Sequence, residues 1–400
     1  MADAVQGTRQ GGGEPSLTDL IKRSAELKGQ LVAFGQSARF DRWLTPLLLE
    51  AAEPERQLDE GEAIRIIDHF VLRYRLPDGS TVVDRFVAGG KDLTAVDREM
   101  LLGWRDPVEG IFEIQCKEKD AVVLLNLVDD LEYRTYSNAG PAAFRAVSKG
   151  SFLHTCLVPV HSAGGAWLVS GAMSSYPKSS ATGIAQAAIR LATSQPELVF
   201  RNPAKIEQGW QQMGEDRAAF VEFCGGDELV LAPAEAEDLI NTYYRRRQEA
   251  ALVGQPDRAR GRRLPDRDPA FFELPGELAD SKSIGVIYDE VDGLNFYADY
   301  GMLRELFENP ALAGRQHQDL LRTYLREESI APLPIRRLAA AHPQTADAVF
   351  RKLLRKPGFT WSEHGEALLR QRKPWYYADE PRPGVSVIGD RLSALAGGRR

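Results

Sequence analysis

Between Gly110 and Ala172 the chain offers five short apolar stretches in close succession: Gly110–Lys117, Ala121–Val128, Glu132–Ser137, Ser151–Val160 and Ala166–Ala172. Turn residues separate them at Glu118-Lys119-Asp120, Asp129-Asp130 and Ser162-Ala163-Gly164-Gly165. Each stretch has the length of a strand, and most of the connections are too short to carry a helix. The pattern predicts a small, strongly bent antiparallel β-sheet or barrel.

Helical periodicity surrounds this β segment. Leu17, Leu20, Ile21, Leu27 and Leu31 recur at helical spacing behind a Ser16 or Thr18 cap, and helical signal continues from Phe40 until it breaks near Glu53-Pro54. A further helix or strand begins at Ile64, and His69–Arg75 alternates as a strand would before the turn Leu76-Pro77-Asp78-Gly79-Ser80. Thr81–Val87 and Thr94–Trp104 read as short helices, the second opened by Thr94 and Asp97 in a capping-box spacing. Helices resume over Ser180–Thr193, Pro203–Phe223 and Glu235–Ala250, with a short apolar strand at Glu228. Gly254–Asp268 is rich in Pro, Gly and Arg and lacks periodicity, which marks a linker. Beyond it, Ser283–Tyr288 and Leu294–Tyr297 form a hairpin, Met302–Leu369 is helical, and 373–390 is an irregular, aromatic-rich tail.

The fold class expected is therefore α+β. A disordered tail (1–16) precedes an α+β domain (17–250) of N-terminal helices around a barrel-like core at about 69–172. An Arg/Pro-rich linker (251–270) leads to a smaller, mostly helical C-terminal domain (271–400) with a hairpin at about 283–297. Of the 400 residues, 43% are apolar and 27% charged, which suits globular domains and excludes a chain disordered throughout. The net charge of −7 argues against wholesale coating of nucleic acid. Cys116, Cys156 and Cys224 are too few and too scattered for a disulfide framework or a cysteine-rich metal site. No apolar run approaches the ~20 residues of a membrane span and no leader is visible at Met1–Pro15, so a cytoplasmic protein without membrane association is expected.

Two acidic clusters could hold a hard cation through carboxylate oxygens: Asp129, Asp130 and Glu132, and Asp289, Glu290 and Asp292. Both also fit ordinary hairpin turns, and the second fails as an EF-hand because Tyr288 falls where its first carboxylate belongs. His154 and Cys156 lie two apart on one strand, a spacing that brings imidazole and thiol together only loosely. Gly35-Gln36-Ser37-Ala38-Arg39 starts like a nucleophile elbow but has Arg39 in place of its closing glycine. No phosphate-cradling glycine motif and no zinc-binding histidine pair is present, and no cofactor is expected. Arg245, Arg246 and Arg247, followed by Arg258, Arg260, Arg262 and Arg263, could neutralise nucleic-acid phosphates or bind a partner. The helix pair within Ile335–Gly358 carries its basic residues at the wrong end for reading DNA. Phe359, Trp361, Trp375, Tyr376 and Tyr377 could stack a ligand or anchor the tail.

The tracts FVLRYRLPDGSTVVDRF, DREMLLGWRDPVEGIFEI and NLVDDLEYR, spanning about 69–172, resemble a module of bacterial proteins of which some carry a C-terminal SEC-C zinc-binding motif. The whole chain is similar to actinobacterial proteins without an assigned activity. The resemblance implies a structural module and transfers no zinc ligand, since no cysteine lies beyond Cys224. Two functions are expected from the residues. One is a non-enzymatic binding or regulatory protein engaging a protein or RNA partner; the other is a metal-assisted hydrolase or nuclease using the acidic turns.

Overall fold

The computed structural model describes residues 15–52, 58–161, 164–253, 272–312 and 314–397. It contains two compact units, Met1–Lys205 with Ile388–Arg400, and Ile206–Val387.

The first unit opens with five helices: α1 (Leu17–Gly35), α2 (Asp41–Ala51), α3 (Glu60–Leu72), α4 (Val82–Gly89) and α5 (Ala95–Gly103). Capping boxes start three of them, Asp59 with Glu62, Thr81 with Asp84, and Thr94 with Asp97, each satisfying first-turn amides reciprocally. The helices close up tightly: a Cβ on Gly35 would lie 2.5 Å from Val71 Cγ1, so glycine there sets how near α1 and α3 can come. His69–Arg75, expected to alternate as a strand, is instead the end of α3 and the turn after it. Phe70, Val71 and Leu72 are buried in succession, which a half-exposed strand would not allow but a helix end enclosed by neighbours does.

Five strands follow: β1 (Val108–Lys117), β2 (Val122–Asn126), β3 (Glu132–Tyr136), β4 (Phe152–Pro159) and β5 (Ala166–Tyr176). They close into a barrel in the order β1-β2-β3-β5-β4. All junctions are antiparallel except β3–β5, which is parallel, so the barrel is mixed rather than purely antiparallel. The cause is the long connection from β3 to β4, which carries the chain past one neighbour and inserts Phe144 and Val147 into the barrel core. There they pack with Val108, Phe112, Ile114, Leu124, Tyr133, Leu153 and Leu157. A five-stranded Greek-key barrel of this kind has the architecture of OB-type barrels, although a fold by itself assigns no activity.

Two groups of helices cover the outside of the barrel. Leu27, Leu31 and Phe70 from α1 and α3, and Trp104 just after α5, pack with Val158, Val160 and Leu168. On another face α6 (Ala181–Ser194), α7 (Pro196–Val199) and the C-terminal helix Asp390–Ala396 bury Ile184, Ala188, Leu198 and Leu392 against Ile111 and Phe152. Large side chains buried this way contribute about 1.5–3 kcal/mol each.

The boundary between the units falls within α8 (Pro203–Cys224). In the second unit β6 (Glu228–Leu231), β7 (Ile284–Asp289) and β8 (Gly293–Ala298) form an antiparallel sheet in that order. The expected linker Gly254–Asp268 lies outside the described residues, but the strands on either side of it, β6 and β7, are paired in this one sheet. Helix α9 (Pro233–Val253) packs with α8 on one face through Phe220, Ile240 and Tyr243. After the short α10 (Gly276–Ala279), helices α11 (Tyr300–Glu308), α12 (Arg315–Arg326), α13 (Leu333–Ala341), α14 (Pro343–Leu354) and α15 (Trp361–Arg372) build the core on the other. The helix Asp390–Ala396, α16, belongs to the first unit. No described helix is long and apolar enough to cross a membrane.

Candidate functional site: a cleft beside the barrel

The two helical covers part at His154 on β4. On one side of it lies a cleft of about 360 Å³ between α3 and the barrel, lined by Arg65, Asp68, His69, Arg73, Glu109, Cys156 and Ser170 among others. Helix α3 supplies Arg65, His69 and Leu72 at the four- and three-residue spacings that keep one helical face toward the opening.

At the base of the cleft is a buried polar network. Lys28 of α1 donates to Ser170 Oγ at 2.8 Å and ion-pairs with Asp68, while Ser170 donates to Asp68 Oδ2 at 2.9 Å. Asp68 and Ser170 are 5% and 4% exposed, so these hydrogen bonds are what makes their burial tolerable. A bulge in β5 aims Ser170 at its partners. Cys156 pairs with Ser170 and His154 with Ser174, so Thr155 alone faces Gly171, Ala172 and Met173. Gly171 has φ +69°, and a Cβ there would stand 3.0 Å from Asp68 Cγ, so both conformation and space call for glycine.

The rim is less fully committed. Arg73 donates to the Pro107 carbonyl at 2.8 Å and lies 3.6 Å from Glu109. Arg65 makes no hydrogen bond or ion pair with another described residue. Burial, assisted by the Arg65 charge and opposed by Glu109, lowers the His154 pKa, so the imidazole is neutral at pH 7. The cleft is lined by Arg65 and Arg73 against Asp68 and Glu109, two cations and two carboxylates, and the Asp68 carboxylate is already paired with Lys28. Nucleophilic chemistry finds little support. Burial and the Asp68 carboxylate push the Cys156 thiol up to about 12, and Ser170 donates to a carboxylate already paired with an ammonium.

The acidic residues singled out from the sequence are placed elsewhere, and most of their carboxylates are engaged by donors. Asp129 is fully buried: Tyr133 Oη donates to it at 2.6 Å, Asn126 Nδ2 at 3.0 Å and the Leu131 amide at 2.9 Å. Burial raises its pKa to about 6 despite those bonds. Asp130, at φ +59°, ion-pairs with buried Lys205 at 2.6 Å, and Glu132 is exposed at the start of β3. In the second unit Asp289 accepts from the Val291 and Asp292 amides and from Arg337, which together outweigh burial and lower its pKa. Asp292 accepts from Tyr376 Oη at 2.8 Å, and burial raises its pKa; Glu290 is exposed near Arg217. Among the described residues no group of three or more His, Cys, Asp or Glu side chains is arranged to hold a metal ion.

The arginines are similarly occupied. Arg246 lies over the Phe223 ring at 4.9 Å, Arg247 pairs with Asp216, and Arg245 is also engaged. Arg258, Arg260, Arg262 and Arg263 lie outside the described residues. Of the aromatics, Phe359 and Trp361 pack on Phe350, while Tyr376 and Tyr377 line a second-unit cavity of about 560 Å³ with Arg336 and Arg370.

Lys28, Arg65, Asp68 and Ser170 escaped sequence reasoning. The available signals were an acid inside the apolar run Ile66-Ile67-Asp68-His69-Phe70 and a glycine inside the last barrel strand. No protein-family model, curated protein or solved structure matches the chain.

Proposed function

We propose that the barrel unit is a non-enzymatic binding or regulatory module whose cleft recognises an anionic group. The observation that carries this is Arg65: a guanidinium with no partner among the described residues, on the wall of a concave site whose Asp68 carboxylate is already paired with Lys28. An arginine so placed has its fork of donors free for a carboxylate or phosphate. The cleft's volume is that of a small-ligand pocket, and its apolar walls with a few convergent polar groups fit that use.

A protein or RNA partner would bring the same anions on a larger surface. OB-type barrels meet oligonucleotides on the face of their second and third strands, where exposed rings stack bases. Here Tyr133 and Tyr136 of β3 are both buried, and exposed Arg134 is paired with Glu118. A small organic anion is therefore favoured. Metal-assisted hydrolysis at either acidic turn is less favoured, because Asp129, Asp130 and Asp289 are each engaged by donors of the protein.

Titration with acetate and inorganic phosphate, read by thermal shift, tests the proposal. A ligand that binds the native state alone raises the unfolding temperature. One of the two anions is expected to raise it in the native sequence and not in Arg65→Gln. No shift with either, or equal shifts in both proteins, would overturn the assignment.

A further inference from the structure

A second space adjoins the cleft at His154. The same side chain also lines a groove of about 530 Å³ between α6 and the barrel, bounded by Ile111, Tyr176, Gly183, Ile184, Ala187 and Leu191. One imidazole forms a wall of both spaces; the first carries Arg65, Arg73, Asp68 and Glu109 on its walls, and the second carries a single charged side chain, Arg190.

We propose that the ligand is an amphipathic organic anion, its charged head on Arg65 and its alkyl tail passing His154 into the groove under α6. The inference rests on the anion-binding assignment above and adds the nature of the rest of the ligand. Exposure sets the polarity, because Arg65 is half-buried and Arg190 is open to solvent. The only unpaired guanidinium among the described lining residues of the cleft is Arg65, and the groove's one cation, Arg190, is exposed at its rim. His154 is neutral, so the passage imposes no charge on a methylene chain. Ile111 and Ile184 are 5% and 6% exposed and supply a firm apolar floor. Gly183 and Ala187 lie one turn apart on α6, and a Cβ on Gly183 would meet no atom within 4 Å. Small residues there leave the width that a chain needs. The occupant intended is a free monomeric carboxylate of medium chain length, not a lipid within a bilayer.

Calorimetric titration of the intact protein with straight-chain carboxylates from acetate to dodecanoate, each below its micelle concentration, tests this. Affinity is expected to rise about fourfold per added methylene, equivalent to ~0.8 kcal/mol, until the groove is filled. Ala187→Trp and, independently, Gly183→Leu should flatten the series while leaving acetate binding within about twofold, with folding verified by circular dichroism. Arg65→Gln should weaken every member by a common factor. If acetate binds but affinity is flat with length, the amphipathic inference falls and the anion site stands. If no member binds, the amphipathic inference falls, and the anion site falls with it only if inorganic phosphate also leaves the unfolding temperature unchanged. A length dependence unchanged in both groove variants places the tail elsewhere and overturns the inference. Binding only to anionic phosphatidylglycerol vesicles, and not to free carboxylates, overturns it as well.

Discussion

Asp129 and Asp68 are both carboxylates buried in the barrel unit, 0% and 5% exposed, yet their surroundings differ in kind. Around Asp129 every neighbour is a donor whose valence ends there: Tyr133, Asn126 and the Leu131 amide, with Asn202 donating to the Asp129 carbonyl behind them. Around Asp68 the inner donors, Lys28 and Ser170, are equally settled. The next layer, however, holds Arg65, unpaired among the described residues, with a neutral imidazole and open volume. Burying a carboxylate demands donors in either case. A surplus donor beside empty space is what separates a binding site from a structural joint.

The largest expected effect lies at the closed network. Asp129→Ala would leave Tyr133, Asn126 and the Leu131 amide without an acceptor in the interior, costing about 3–5 kcal/mol of stability by urea denaturation. Acetate affinity of the folded variant should stay within about twofold. A folded Asp129→Ala protein that no longer bound anions would erase the distinction between the two networks.

The Asp129 pKa supplies a second test, with a defined sign. Its folded value, raised to about 6, exceeds the ~3.9 of an unfolded chain, so the neutral carboxyl is the form the fold prefers. That contribution is complete below about pH 4 and is lost as pH rises through about 6. A difference of this size between the folded and unfolded chains corresponds to at most about 3 kcal/mol. Stability measured against Asp129→Asn, which cannot ionise, should therefore fall by up to that amount between pH 4 and 7. A constant difference across the range would mean that the surrounding donors fully support the ionised form.

At the open network the pattern should reverse. Arg65→Gln is expected to weaken acetate or phosphate binding tenfold or more, ~1.4 kcal/mol, while changing unfolding stability by no more than about 0.5 kcal/mol. A loss of stability as large as that of Asp129→Ala would show that Arg65 supports the fold.

Much of the architecture was legible in local sequence. The five strands and most helices follow from short-range periodicity, and Thr94 with Asp97 announces its capping box within four residues. What escaped depends on contacts distant in the chain. The parallel β3–β5 junction depends on the path of the β3–β4 connection. The pairing of β6 with β7 joins strands on opposite sides of an apparent linker, and nothing in that segment's composition encodes it. His69–Arg75 misled because three consecutive buried side chains can end an enclosed helix as well as start a strand. The cleft was the least legible part, since Lys28, Asp68 and Ser170 come from three distant segments, each ordinary in isolation. The acidic pairs were conspicuous because they are adjacent in sequence, and adjacency says little about convergence in space.

The finest test concerns where the closed part of the cleft gives way to the open part. Ser170→Ala removes a hydroxyl that accepts from Lys28 and donates to Asp68, but those two remain in direct ion contact. Neither is left alone in the interior, so the cost should be that of one hydrogen-bonding group, about 1 kcal/mol. Anion affinity should stay within about twofold, because Ser170 spends its proton on Asp68 and Arg65 makes the proposed contact. Paired thermal denaturation and acetate titration of this variant would place the border. If affinity fell tenfold while stability held, Ser170 would touch the ligand, and the border would move inward to Asp68.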